Sequence, residues 1–156
     1  MRFFDNEDAL RTSLDAFMSE HRTHLGLVSL EVPLISSLPV WGNIALIRQY
    51  HENMSWANSR TFVSDLLKRF DMTGIADRRT FLLKMEELFC VMLLRAATVR
   101  GAVVVLDRPF LLLPKDRDSQ FIMDALRKID DLIAEAYIFD YSRAIGLYRA
   151  TDGTAD

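Results

Sequence analysis

Residues 103–114, VVVLDRPFLLLP, decide how the rest of the chain is read. With Ala102 before them, the three valines and one leucine of Val103–Leu106 predict a short apolar strand. The run ends on Asp107, and Arg108–Pro109 turn the chain away. Many nucleotide hydrolases present a carboxylate to Mg²⁺ at the end of such a strand. In the commonest form, the next residue is a glutamate that handles the attacking water. Here it is Arg108.

Outside this stretch the sequence excludes several classes. At 156 residues, half of them hydrophobic, the chain is one domain that can bury a core. The net charge is −3 and no basic run occurs, so no nucleic-acid surface is expected. Cys90 is the one cysteine; it can form neither an internal disulfide nor a cysteine metal cluster, and a cytoplasmic location is expected. The start, MRFFDNEDALR, carries charges where a secretory signal needs an apolar stretch. No apolar run approaches the roughly 20 residues of a membrane span.

The pattern along the chain alternates helices with short strands. Residues 6–21 predict an amphipathic helix capped by Asn6, with Leu10, Leu14, Phe17 and Met18 on one face. LGLVSLEV (25–32) predicts a strand near 26–31 that Pro33 stops. A helix begins near Pro39–Trp41. Ser55 caps another, with Phe62, Val63, Leu66, Leu67 and Phe70 on one side, and Gly74 closes that region. From about 77 to 99 the pattern changes; after Glu87 the residues are apolar nearly all round and predict a helix buried on several sides, broken by Gly101. A helix is expected over 118–134, a strand over 136–140, a helix from Ser142 to Tyr148, and a disordered tail at 151–156. Strands joined by helical crossovers imply a helix-rich α/β domain over residues 1–150. Its sheet should be small and parallel, with about three strands near 26–31, 102–107 and 136–140.

In order and spacing, several segments resemble the second half of an ABC-type ATPase domain, over roughly residues 25–149. LGLVSLEVPLISSLPVWGNIAL (25–46) is similar to the Q-loop strand and the V-x-x-N-I start of the helical subdomain, placed here at about 41–98. LLKRFDMTGIADRR (66–79) is similar to the approach to the signature motif, which would fall on Leu83–Glu87. Arg95 stands twelve residues before Asp107, the family's spacing between the signature-helix arginine and the Walker B aspartate. DRPF replaces D-E-P-F, and AYIFDYSRAI (136–145) replaces a strand ending in T-H-D. The resemblance implies a remnant of the P-loop NTPase core with its helical subdomain.

Position by position, the resemblance implies lost nucleotide chemistry. Phosphate binding needs a glycine-rich loop ahead of a lysine at a helix N-terminus. Glycines at 26, 42, 74, 101, 146 and 153 supply no such spacing, and the chain before the Q-loop strand looks too short for that strand, loop and helix. The Q-loop glutamine falls on Leu30, the signature glycines on Met85 and Glu86, and the switch histidine on Phe139. Arg108 cannot serve as a general base at neutral pH, since its guanidinium stays protonated. Asp107 is the one remnant ligand, either a weak metal site or a structural aspartate paired locally. The expectation is a non-enzyme with no cofactor. The lost strand would leave the 136–140 edge bare, to be covered by helix 6–21 or by a partner.

The resemblance also implies a docking rim for a permease helix, at Val32, Pro33, Leu34, Ile35, Leu38 and Trp41, with Ile35 and Trp41 the better contacts. The partner would be a transporter permease, a competent ATPase subunit or a second copy of the chain. Any membrane association would be peripheral, at the inner membrane through the permease. The rival reading is an enzyme whose complementary subunit supplies the missing loop, with Asp107 in a shared ATP site. His21 and His24 with Glu20 offer three metal ligands at most, short of a tetrahedral site.

Overall fold

A computed structural model describes residues 1–149; the expected tail at 151–156 lies outside the described residues. Four parallel strands form one sheet in the order β1-β4-β3-β2: β1 (Arg2–Phe4), β2 (Leu25–Val28), β3 (Ala102–Asp107) and β4 (Ile133–Tyr141). β3 is buried along its whole length, as a central parallel strand covered on both faces must be. The helices are α1 (Glu7–Glu20), α2 (Val40–Glu52), α3 (Trp56–Lys68), α4 (Met85–Ala97), α5 (Ser119–Arg127) and α6 (Ile145–Arg149). Among the described residues, no helix is long and apolar enough to cross a membrane.

The two faces of the sheet are covered differently. On one, α1 lays Leu10, Leu14 and Phe17 over Val103, Val105 and Phe139. Asn6 caps this helix by accepting the N–H of Ala9 at 2.9 Å. The other face carries the larger core, where Val104, Leu106 and Ile138 meet α2, α4 and α5. α4 comes so close to β2 that a Cβ on Gly26 would lie 2.3 Å from the Ala96 carbonyl oxygen. Gly101, at φ +61°, makes the turn into β3.

β1 is the strand that sequence patterning does not show. It pairs with β4 outside the other three strands, Arg2 beside Phe139 and Phe4 beside Tyr141. That is the place the resemblance gives to the Walker A strand. The chain before β2 is therefore long enough for a strand and a helix after all, because only Asp5 and Asn6 separate β1 from α1. The expected bare edge is half closed: β1 covers Phe139–Tyr141 of β4 and stops there.

Several boundaries move. β2 ends at Val28, and Ser29–Val32 turn instead, with the Val32 N–H bonded to the Ser29 carbonyl at 3.1 Å. The helix expected from 77 begins only at Met85, after 3-10 turns at Thr73–Ile75 and Thr80–Leu82. The helix expected over 118–134 stops at Arg127, since Ile133 already pairs with Ala102 in β4. Ser142–Ala144 form a 3-10 turn ahead of α6.

Candidate functional site

Ligands of open parallel sheets bind beyond the carboxyl ends of the strands. Here that edge gathers the ends of β2, β3 and β4, the β1–α1 turn and the first turns of α1. Asp107 sits at its centre, 3% exposed, and both carboxylate oxygens are engaged. Arg108 Nε donates to Oδ1 at 2.8 Å and Arg108 Nη2 to Oδ2 at 3.0 Å. Ser29 Oγ donates to Oδ2 at 2.7 Å.

Arg108 reaches back in this way because its backbone is left-handed, φ 47° and ψ 59°. A non-glycine residue there carries strain of about 1–2 kcal/mol. The fork onto Asp107 and the Arg108 N–H bond to the Phe139 carbonyl at 2.8 Å hold it. The hydrogen bonds to Asp107 push the guanidinium further above its already high range, so it is a permanent cation and no base.

The surrounding groups extend this network. Glu31 lies 3.6 Å from Arg108 Nη2 and accepts Arg11 Nη2 at 2.9 Å. The charge of Glu31 is the first cause that raises the Arg11 pKa. Tyr141 Oη is 3.5 Å from Arg108 Nη1. Asp5, in the β1–α1 turn, accepts the Ser142 hydroxyl at 2.7 Å. What remains between α1, β2 and β3 is a cavity of about 170 Å³, with Glu7, Asp15 and Glu31 among its walls. Sites for small molecules usually enclose about 300–1,000 Å³.

Of the other positions singled out in the sequence, Phe139 lies beside Asp107, paired with it across the sheet. Leu30 is 55% exposed in the turn after β2. Phe139 is fully buried, with Phe4 stacked on it and Phe17 edge-on. Met85 and Glu86 open α4. Glu86 is held below the usual carboxylate range, first by its own backbone N–H and then by Arg117. Burial pushes the Cys90 thiol up to about 12, which makes it an inert core residue. Among the described residues, no three His, Cys, Asp or Glu side chains gather to hold a metal ion. His21 Nδ1 instead meets the Phe17 carbonyl at 2.9 Å, and His24 Nδ1 meets that of Arg100 at 3.1 Å.

The rim at 32–41 is partly sunk. Val32 and Ile35 are 41% and 40% exposed and Pro33 is exposed, but Leu34 packs into the core. Leu38 and Trp41 are half-buried, and Trp41 lies edge-on to Trp56 beneath the Arg60 guanidinium. Arg95 ties the loop down by donating to the Val32 and Pro33 carbonyls at 2.6 and 2.8 Å. Asn43, wholly buried, accepts the Ile35 N–H at 2.7 Å and donates to the Ile35 carbonyl at 3.0 Å. Ser29, Glu31 and Arg11 escaped the sequence reading, as no spacing links them to Asp107 before the chain folds.

No protein-family model and no curated protein matches the chain. Solved structures do. An ATP-binding subunit of an ABC transporter superposes with a TM-score of 0.57 at 17% identity, over 86% of this chain and 56% of that one. A dimeric ATP-binding cassette in a post-hydrolysis state, bound to ADP and phosphate, gives 0.59 at 19% identity, over 86% and 59%. The fold is ABC ATPase-like. The chain spans less than three fifths of the length of either structure. The three expected strands, β2, β3 and β4, are neighbours in the sheet, and α2, α3 and α4 lie in the chain between β2 and β3.

Proposed function

We propose that the chain is a non-catalytic ABC ATPase-like subunit, an interaction module that docks on a transporter permease or on a competent ATPase partner. One observation supports this above others: the buried carboxylate that ends β3 is already neutralised by its own neighbour. Asp107 has Arg108 on both oxygens and Ser29 on one, and an Mg²⁺ ion would have to displace the guanidinium. The β1–α1 connection supports the same reading. Its two residues, Asp5 and Asn6, contain no glycine to wrap a phosphate, and Glu7 and Asp8 follow in the first turn. Carboxylates there repel the anion that a helix N-terminus otherwise favours.

Calorimetric titration with ATP–Mg²⁺ tests the loss of nucleotide chemistry. The expected result is no binding tighter than about 100 μM, near −5.5 kcal/mol. Tighter binding would favour a shared ATP site built with another subunit. Docking is tested at Val32 and Ile35, which are exposed, rather than at Trp41, whose stacking ties it to stability. A Val32→Lys, Ile35→Lys double variant should lose permease during co-purification from membranes. Unchanged recovery would refute the docking surface.

A further inference from the structure

The turn ahead of α4 shows its apolar side chains to solvent. Phe81 is 75% exposed and Leu82 60%, and Met85 at the start of α4 is exposed beside them. The turn is fastened down and presents these side chains outward. Arg79 bridges to Pro39 and its guanidinium donates to the Ser37 carbonyl. Thr80 is buried, its carbonyl accepts the Leu83 N–H at 3.2 Å, and Leu83 packs inward on the core. The turn is thus bonded to the loop that leaves the carboxyl end of β2. Met1 lies at the amino end of β1, the opposite edge of the sheet.

Charge decides what such a surface fits. From Arg78 to Met85 the chain holds three cations and no acid, in a protein whose net charge is −3. Arg78, Arg79 and Lys84 are exposed, and none of them pairs with a carboxylate among the described residues. The acids on either side are already engaged. Asp77 accepts Arg60 at 3.1 Å, Glu86 accepts Arg117 at 2.8 Å, and Glu87 accepts the Lys84 N–H at 2.9 Å. An apolar knob among unpaired cations matches the boundary of an anionic bilayer, where apolar side chains enter and Lys and Arg reach the headgroups. A protein interface of standard size takes about 20–30 residues a side, far more than this turn offers. A bilayer needs no shaped counterpart.

We propose that the turn Arg78–Met85 attaches the chain directly to anionic phospholipid, with Phe81 and Leu82 between the headgroups and the acyl chains. Each cation held near such a surface strengthens partitioning roughly fivefold. With so small an apolar part the attachment is weak and reversible. It uses no permease, so it does not rest on the docking proposed above.

Co-sedimentation of the full chain with pure lipid vesicles tests this, using phosphatidylcholine alone or with about 30% phosphatidylglycerol. Partitioning onto the anionic vesicles should be at least about tenfold stronger, and about 0.5 M salt should remove most of that gain. Phe81→Ser with Leu82→Ser should weaken it at least about tenfold, and Arg78→Gln with Lys84→Gln about twentyfold. Tyr50→Ser, which alters an exposed apolar side chain on α2, should change nothing. Equal partitioning onto the two kinds of vesicle overturns the proposal, and that comparison needs no variant. So does undiminished binding without Phe81 and Leu82, or a loss as large with Tyr50→Ser. Capture by soluble polyglutamate as tight as by the vesicles would assign the cations to an acidic protein and overturn it too.

Discussion

Two buried polar side chains sit within the same end of the molecule and are used in opposite ways. Asn43 sends every bond to the main chain. It takes the Ile35 N–H and gives to the carbonyls of Ile35, Leu38 and Pro39 at 3.0–3.3 Å. Asp107 sends every bond to side chains, those of Arg108 and Ser29. The first arrangement fixes the path of a loop; the second absorbs a charge. The motif in this chain that is most like the family's, V-x-x-N-I, thus owes its asparagine to backbone geometry and needs no ligand to explain it. DRPF, one residue away from D-E-P-F, holds a self-satisfied pair, Asp107 with Arg108.

That contrast is broken most strongly at Arg108. Arg108→Ala strips Asp107 of both guanidinium bonds, leaves a nearly buried carboxylate with one hydroxyl, and retains a non-glycine residue in left-handed backbone. A loss of about 3 kcal/mol is expected in urea unfolding. Asn43→Ala should cost less, about 2 kcal/mol, because the orphaned groups are neutral. It should also speed hydrogen exchange at Ile35 while the amides of β3 keep their protection. Arg108→Gly sharpens the comparison further. It loses the same ion pair but relieves the φ of 47°, so it should be more stable than Arg108→Ala by about 1 kcal/mol. Equal stability of these two variants would mean that the backbone at 108 is unstrained.

The same division governs what was legible before folding. Local chemistry was: Asn6 and Ser55 both cap as expected, with Ser55 Oγ accepting the Asn58 N–H at 3.1 Å. The apolar run of β3 and the apolar face of α1 were equally plain. β1 was not, since three residues, Arg2–Phe4, hold no periodicity and become a strand only because β4 offers an edge. The end of α5 misled for another reason. Ile129, Leu132 and Ile133 continue a helical spacing, yet pairing with β3 draws Ile133 into the sheet. Leu34 fell on a surface by analogy and in the core by packing. At the candidate site Asp107 and Arg108 were visible as neighbours, but their partners Ser29 and Glu31 lie more than seventy residues earlier in the chain. Only the register of β2 against β3 brings them together.

The smallest effect is expected at the opposite, amino end of the strands, where Glu52 clamps two arginines. Arg100 bonds both its oxygens, and Arg48 reaches them at 2.8 and 3.0 Å. Those bonds, that of Arg100 first, lower the Glu52 carboxyl from 4.5 to about 2. A carboxyl depressed in the folded state contributes stability that is complete above its unfolded value and fades as the pH falls through its folded one. Glu52 should therefore steepen the loss of stability between about pH 4.5 and 2. Glu52→Gln should flatten that part of the curve and leave the stability at pH 7 only slightly lower. Added salt should shrink the difference, since Arg100, whose bond contributes first, is open to solvent. The Asp107–Arg108 pair is buried and should be nearly indifferent to salt, so a salt series on Glu52→Gln and Arg108→Ala separates the clamp that water screens from the one that it does not.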